Sequence, residues 1–328
     1  MKTITIAIPS YNSEKFIVDA LDSIFEQSYP VDEILVIDDH SDDSTAIIVK
    51  KYTEKHNINN LKLIINPTNI GYQKNWNQCL ELAQCEYVLL LHSDDKLKPD
   101  ILAKQIKMFS EKPELALVGG KEDFIDENGV TLRQTEFSEE RIYSKGQIYE
   151  FVTEQNSYIP CSSVLFNMER IRKIGFFQPD VLATDEFYWP KVLYSFPIAV
   201  LGESLVNRRS HKNQAEYTDF LTKHDKVLAV LDQFMSVVDL ERRPQFKDAM
   251  RQFFISKFSN ACINISSSVL KYHKNPIVAL RYLIYTLRIN PKIVFVNRRF
   301  YKSFLLLVLT ALKLDNVTLN HLFKKIKK

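Results

Sequence analysis

The sequence predicts an α/β protein, with a mostly parallel sheet flanked by helices and then a C-terminal helical region. Three observations predict it. Up to about Gly120 short β-rich runs alternate with amphipathic segments, the strand-like runs are almost continuously apolar, and beyond Thr218 the pattern turns helical with aromatic and basic residues interleaved. Alternating βα units with apolar strands imply a sheet covered on both faces. Residues 1–217 are expected to form the first domain and residues 218–328 the second.

The elements follow in order. Thr3 to Pro9 has the composition of a strand, and Ser13 to Phe25 places Phe16, Ile17, Ala20, Leu21, Ile24 and Phe25 on one helical face. Glu33 to Asp38 is a second strand, Ser44 to His56 a helix, Leu61 to Asn66 a strand and Tyr72 to Ala83 a helix. Tyr87 to His92 is the next strand, and Pro99 opens a helix that runs to Glu111. Leu115 to Gly119 closes the series, and Lys121 to about Asn213 is irregular, with short strands and loops.

In such sheets ligands bind beyond the carboxyl ends of the strands. Those ends carry SYN at 10–12, DDHSDD at 38–43 and HSDD at 92–95. The last is the most informative, because LLLHSDDKLKP drives a buried run straight into Asp94 and Asp95. Unpaired charge at the edge of a core is costly, so something there should need it.

Composition bounds the function. The chain has 328 residues, 45% apolar and 25% charged, ordinary values for a folded globular protein. Its net charge of +3 is too small to indicate a nucleic-acid partner, although Lys and Arg crowd the last hundred residues and acids the first half. Cys79, Cys85, Cys161 and Cys262 show no C-x-x-C spacing, which suits a reducing cytosol and suggests neither a zinc site nor a disulfide framework. MKTITIAIP enters a strand directly, so no secretion signal is expected. The apolar run Phe304 to Leu312 is about half of the roughly 20 residues that a spanning helix requires.

A dinucleotide site would follow the first strand with G-x-G-x-x-G, but the loop is PSYNSEKF, and no G-x-x-x-x-G-K-[ST] occurs. Where glycines do not cradle phosphates, a hard divalent cation can, on carboxylate and phosphate oxygens. Asp94 and Asp95 are candidates for holding one; the alternative is that one caps the helix near Pro99 while the other is solvated.

IPSYN at 8–12, VIDDHSDDST at 36–45 and NPTNIGYQKNWNQCLELAQCEYVLLLHSDD at 66–95 resemble, in this order and spacing, the family-2 glycosyltransferases, which have the GT-A fold. The resemblance spans roughly residues 3 to 215. It implies inverting transfer of a sugar from a nucleotide-sugar donor to a hydroxyl of a glycan or lipid-linked acceptor, with Mn or Mg on the diphosphate. UDP is the commonest donor nucleotide for it, with dTDP and GDP as alternatives, and bacterial surface-polysaccharide assembly is the analogous setting.

Carried over by position, Pro9, Tyr11 and Asn12 lie along the nucleotide, Glu14 reaches the ribose and Asp39 accepts from the base. Asp42 or Asp43 is then left to cap the helix at Ser44. Asn69, Gly71 and Asn77 match further nucleotide-side positions, with Asn75 where the family usually has Ala. The family often writes its metal motif D-x-D-D; here His92 takes the first place, leaving Asp95 as direct ligand and Asp94 on the ribose or a metal-bound water. His92 could assist there; the alternative is a structural histidine that ends a strand. In VLATDEFYWPKVL, Asp185 matches the base, with Glu186 in reserve and Thr184 replacing the usual first acid. The alternative for these acids is a helix N-terminus, and the two are compatible.

NRRSHKNQAE matches an Arg-x-His-x-x-Gln element, which implies that Arg209 and His211 close over the diphosphate, with His211 a metal ligand. Pro160, Cys161 and Ser162 fall where acceptor-side residues occur. The C-terminal basic and aromatic helices either pack as core or dock peripherally on an anionic membrane surface. Such a protein is expected in the cytoplasm, at the inner face of the plasma membrane where it docks. Two rivals differ in class: a sugar nucleotidyltransferase, which would need a Gly-rich basic loop after the first strand, and a non-catalytic sugar- or lipid-binding relative.

Overall fold

The computed structural model describes residues 2–155, 158–179, 184–211, 276–292 and 297–311, and short pieces between 255 and 270. Two compact units divide the chain, residues 1–211 and 212–328.

Unit one is built on a sheet whose strands run β3-β2-β1-β4-β9-β6-β10-β5. Its first half is the expected βα series: β1 (Ile4–Ser10), α1 (Ile17–Phe25), β2 (Glu33–Asp38), α2 (Thr45–Lys55), β3 (Leu61–Ile65), α3 (Tyr72–Leu82) and β4 (Tyr87–Leu90). β1 pairs in parallel with β2 and β4, and β2 with β3. Every residue of β1, β2 and β4 is buried, as a sheet covered on both faces requires. Ile4, Ile6 and Ile8 of β1 join Ile17, Leu21 and Ile24 of α1 in the core. Phe25, expected on that face, is half exposed, and its ring lies 6.2 Å from Tyr52.

The irregular stretch supplies the rest of the sheet. After β5 (Lys96–Leu97) and α4 (Ile101–Glu111) come β6 (Leu117–Ile125), β7 (Thr131–Arg133), β8 (Arg141–Tyr143), α5 (Ile148–Gln155), β9 (Leu165–Asn167), α6 (Met168–Ile174), α7 (Thr184–Ser195) and the twelve-residue β10 (Ile198–Arg209). β9 enters antiparallel between β4 and β6, β10 runs parallel to β6, and β5 runs antiparallel to β10. The sheet is therefore mixed beyond β4. α4 begins two residues later than Pro99 suggested, because Asp100 adopts a left-handed conformation (φ 63°) just ahead of it.

β1 is followed on one side by β2 and β3 and flanked on the other by β4, so strand order reverses between β1 and β4. In open α/β sheets ligands bind at such a switch point, beyond the carboxyl ends of the strands. Across this one, the Ser13 and Ser93 hydroxyls bond at 2.6 Å, joining the loops that leave β1 and β4.

In unit two a helix over Pro276–Ile289 packs against one over Arg298–Ala311. Ala279, Tyr282 and Leu283 of the first and Phe300, Ser303 and Leu307 of the second are buried. No helix among the described residues is long and apolar enough to cross a membrane.

Candidate active site

The acids of HSDD do not cap a helix. β5 separates them from α4. Asp95 is buried; its Oδ2 accepts from Ser162 Oγ at 2.7 Å and its Oδ1 from the Arg209 N–H at 3.0 Å. Asp94 Oδ2 bonds His211 Nε2 at 2.9 Å. His92 Nδ1 stands 3.7 Å from Asp95 Oδ2, and its ring stacks on Trp76 with centroids 4.8 Å apart. One ligand atom each from His92, Asp94 and Asp95 lies within 4.8 Å of the others.

The electrostatics separate the two carboxyls. Burial, then the neighbouring charge of Asp94, pushes the Asp95 carboxyl above its usual range. Burial would raise Asp94 as well, but the hydrogen bond from His211 and the charges of His92 and His211 outweigh it and hold it low. Two adjacent carboxyls that cannot both ionise comfortably, with an imidazole beside them, form a donor set that suits a divalent cation.

The loops after β1, β2 and β3 form the adjoining wall. Asn12 and Glu14 bond into the β2 loop: Asn12 Oδ1 accepts from the Asp42 N–H at 2.9 Å and Glu14 Oε2 from the Ser44 N–H at 3.1 Å. Asp43 accepts from the Thr45 N–H at 2.9 Å, so the capping expected of Asp42 or Asp43 falls to Asp43. The buried Asp39 carboxylate accepts from Asn66 Nδ2, Ile70 N and Gly71 N, each at 2.9 Å, and so fixes the turn that carries Asn69 and Gly71. Gly71 occupies φ +88°, which its missing Cβ permits. Pro9 is buried near the end of β1, while Tyr11 just beyond the strand is half exposed.

Asn77 turns elsewhere. Its amide is engaged at both ends by the backbone of Phe177, donating at 2.8 Å and accepting at 3.0 Å, so it ties α3 to the segment after α6. Asn75 is buried too, and donates to the Ile37 carbonyl at 3.0 Å.

Arg209 corrects an expectation. Its guanidinium is wholly buried, with Nε on the Asp94 carbonyl (2.9 Å), Nη1 on the carbonyls of Asp126 and Glu127, and Nη2 on Asp19 Oδ2 (2.7 Å). It lies over the Phe16 ring at 4.8 Å. A group so enclosed cannot close over a diphosphate; it braces the acid loop from behind. Arg209→Met is accordingly expected to cost about 1–3 kcal/mol, read as a lowered urea midpoint, because the carbonyls of Asp94, Asp126 and Glu127 lose their donor while the half-exposed Asp19 is resolvated. A clamp on substrate would instead lose activity with its unfolding curve unchanged. His211 is the last described residue of the Arg-x-His-x-x-Gln element; Gln214 lies outside the described residues.

Asp185 and Glu186 occupy the first turn of α7, where Thr184 Oγ1 donates to the Gln178 carbonyl at 2.8 Å. Buried Trp189 anchors the helix through its indole N–H to the Ile159 carbonyl at 3.1 Å. Burial, then Asp185, then Asp95 pushes the Cys161 thiol up. The thiol thus feels the charge of both Asp185 and Asp95. Ser162, named in the sequence only for its position, bonds both Asp95 and the His92 N–H, and no local signal marks that role.

The model of glycosyl transferase family 2 matches residues 5–175, more than half of the chain, and the chain belongs to that family. A Bacillus subtilis (strain 168) protein named for teichuronic acid biosynthesis, the glycosyltransferase TuaG, is 37% identical over 33% of this chain and 42% of its own length. The poly(ribitol-phosphate) β-N-acetylglucosaminyltransferase TarS of Staphylococcus aureus (strain Mu50) is 36% identical over 31% of this chain and 18% of its own. The chain thus spans less than half of these relatives. The crystal structure of S. aureus TarS 1–349 with UDP-GlcNAc shares the fold, with a TM-score of 0.55 at 20% identity over 88% of this chain and 91% of that one.

Proposed function

We propose that the protein transfers a sugar from a UDP-sugar donor to a hydroxyl of a glycan or lipid-linked saccharide, with inversion at the anomeric carbon. The observation that carries this reading is the convergence of the acid pair and His92 just beyond β4, and Asp185 in the first turn of α7 is our candidate for the base. UDP is favoured because the TarS structure of the same fold was solved with UDP-GlcNAc.

In this reading the base lies against the turn that Asp39 fixes, beside Asn69 and Gly71, with Tyr11 offering a ring face and Pro9, Asn12 and Glu14 shaping the wall. Asp95, Asp94 and His92 would hold Mn or Mg, and His211 steadies Asp94. Bound there, the cation would supply positive charge for the departing nucleoside diphosphate. Asp185 takes the proton of the attacking hydroxyl as the new glycosidic bond forms and the bond to the diphosphate breaks. Glu186 and the first turn of α7 orient it. Asn77 and Arg209 belong to the framework. We place the reaction in the cytoplasm, where residues 218–328 form the second domain and contact the inner face of the plasma membrane.

The test is a thermal-shift panel of UDP-, GDP- and dTDP-sugars with and without Mn, followed by donor turnover. Stabilisation by UDP-sugars that requires Mn is the expected result. If no sugar nucleotide binds, the protein is a non-catalytic relative and the proposal fails.

A further inference from the structure

We propose that the helices over Pro276–Ile289 and Arg298–Ala311 form a docking surface for an anionic phospholipid bilayer. This gives a specific surface to the membrane contact suggested above, yet it stands on observations that involve no sugar chemistry.

Charge is the first of them. Between Asp248 and Asp315 the chain has no Asp or Glu, while it has eleven Lys and Arg. A surface made for water or for a mixed protein partner would intersperse both signs.

The second observation is how the exposed sides divide. Pro276–Ile289 buries Ala279, Tyr282, Leu283 and Thr286 on one face. The opposite face exposes Ile277, Leu280, Ile284 and Leu287, spaced three, four and three residues apart, which is one stripe along a helix. Arg281 and Arg288 are exposed along one edge of that stripe. Arg298–Ala311 repeats the plan: Phe300, Ser303 and Leu307 are buried, Tyr301, Phe304 and Val308 are exposed, and Arg298 and Lys302 border them. Each helix thus presents an apolar stripe edged by cations.

That combination selects the occupant. Nucleic acid would use the cations and leave seven large apolar side chains in water, and a neutral protein groove would offer the cations no opposite charge. A headgroup layer above an acyl boundary satisfies both, with Tyr301 at the depth where aromatic rings settle. Neither helix is long and apolar enough to cross the bilayer, so the contact lies in its plane.

The test is vesicle flotation of the full chain without donor or metal, using phosphatidylcholine alone or with phosphatidylglycerol. At least about tenfold preference for the anionic vesicles, weakened by salt, is expected. Arg281→Glu with Arg288→Glu should erase the preference, and Ile284→Ser with Phe304→Ser should reduce binding to both vesicles. All four side chains are exposed, so the unfolding midpoint serves as a control; if the serine pair does not fold, the charge reversal alone decides. No partition to either vesicle, or binding indifferent to the charge reversal, overturns the proposal. So does gel filtration showing a dimer that Ile284→Ser dissolves, because the face would then be covered by a second copy.

Discussion

Asp95→Asn is expected to abolish Mn-dependent binding of the donor and to lower kcat/KM by about 10²–10³-fold, while leaving the metal-free protein at least as stable as wild type. The asymmetry follows from what Asp95 touches. Ser162 and the Arg209 N–H need an acceptor, and an asparagine carbonyl can serve one of them in the same place. Neither needs the negative charge. That charge is a burden on the empty fold, because the carboxyl is buried beside Asp94 and its pKa is raised. Removing it relieves a repulsion, whereas removing it from a loaded site takes away a ligand worth several kcal/mol of charge stabilisation, at 1.4 kcal/mol per tenfold. Differential scanning fluorimetry with and without Mn separates the two. The wild type should gain stability on adding Mn and UDP, and the variant should not. A variant that loses stability without Mn and keeps its Mn response would show that Asp95 is a framework acceptor only.

The parts of this architecture that were legible are those where burial leaves a local mark. β2 falls on the residues its apolar run indicates, and β1, β3 and β4 lie within two residues of theirs, because strands buried in a sheet are drawn mostly from apolar, β-branched residues. The acid pair was legible for the opposite reason: charge at the end of such a run is conspicuous. β10 was not, since NRR and GES interrupt its apolar pattern and its long pairing with β6 joins residues about eighty apart. Arg208 and Arg209 show the limit most clearly. On a strand, adjacent residues face opposite ways, so a register difference of one decides which guanidinium is buried. Arg209 is wholly enclosed, whereas Arg208 lies on the other side, with Nη1 3.1 Å from the Tyr158 hydroxyl. Nothing in NRRSH distinguishes the pair. Asn77 is similar: an asparagine on α3 gives no sign that its partner is the backbone of a residue one hundred positions on.

Asp185→Asn should lower kcat by about 10²–10⁴-fold with KM for the donor nearly unchanged, the range that general base catalysis contributes. The rival account of this residue is local, because an acid in the first turn of α7 also complements the helix dipole. The two roles have different sizes and readouts. Loss of the dipole contact is worth about 0.3–1 kcal/mol of stability and should shift the unfolding midpoint slightly in Asp185→Asn and Glu186→Gln alike. Loss of the base removes turnover in Asp185→Asn alone, since an amide cannot take a proton from the attacking hydroxyl. Donor binding by calorimetry should be intact in both variants, because the nucleotide wall is built from the loops after β1, β2 and β3. If Glu186→Gln loses turnover and Asp185→Asn does not, the base is the neighbouring acid on the same turn. If both keep turnover, α7 supplies no base and its acids serve the helix only. A collapse of kcat confined to Asp185→Asn, with both unfolding curves nearly superimposed, assigns the proton transfer to Asp185, because the dipole role cannot produce a loss of that size.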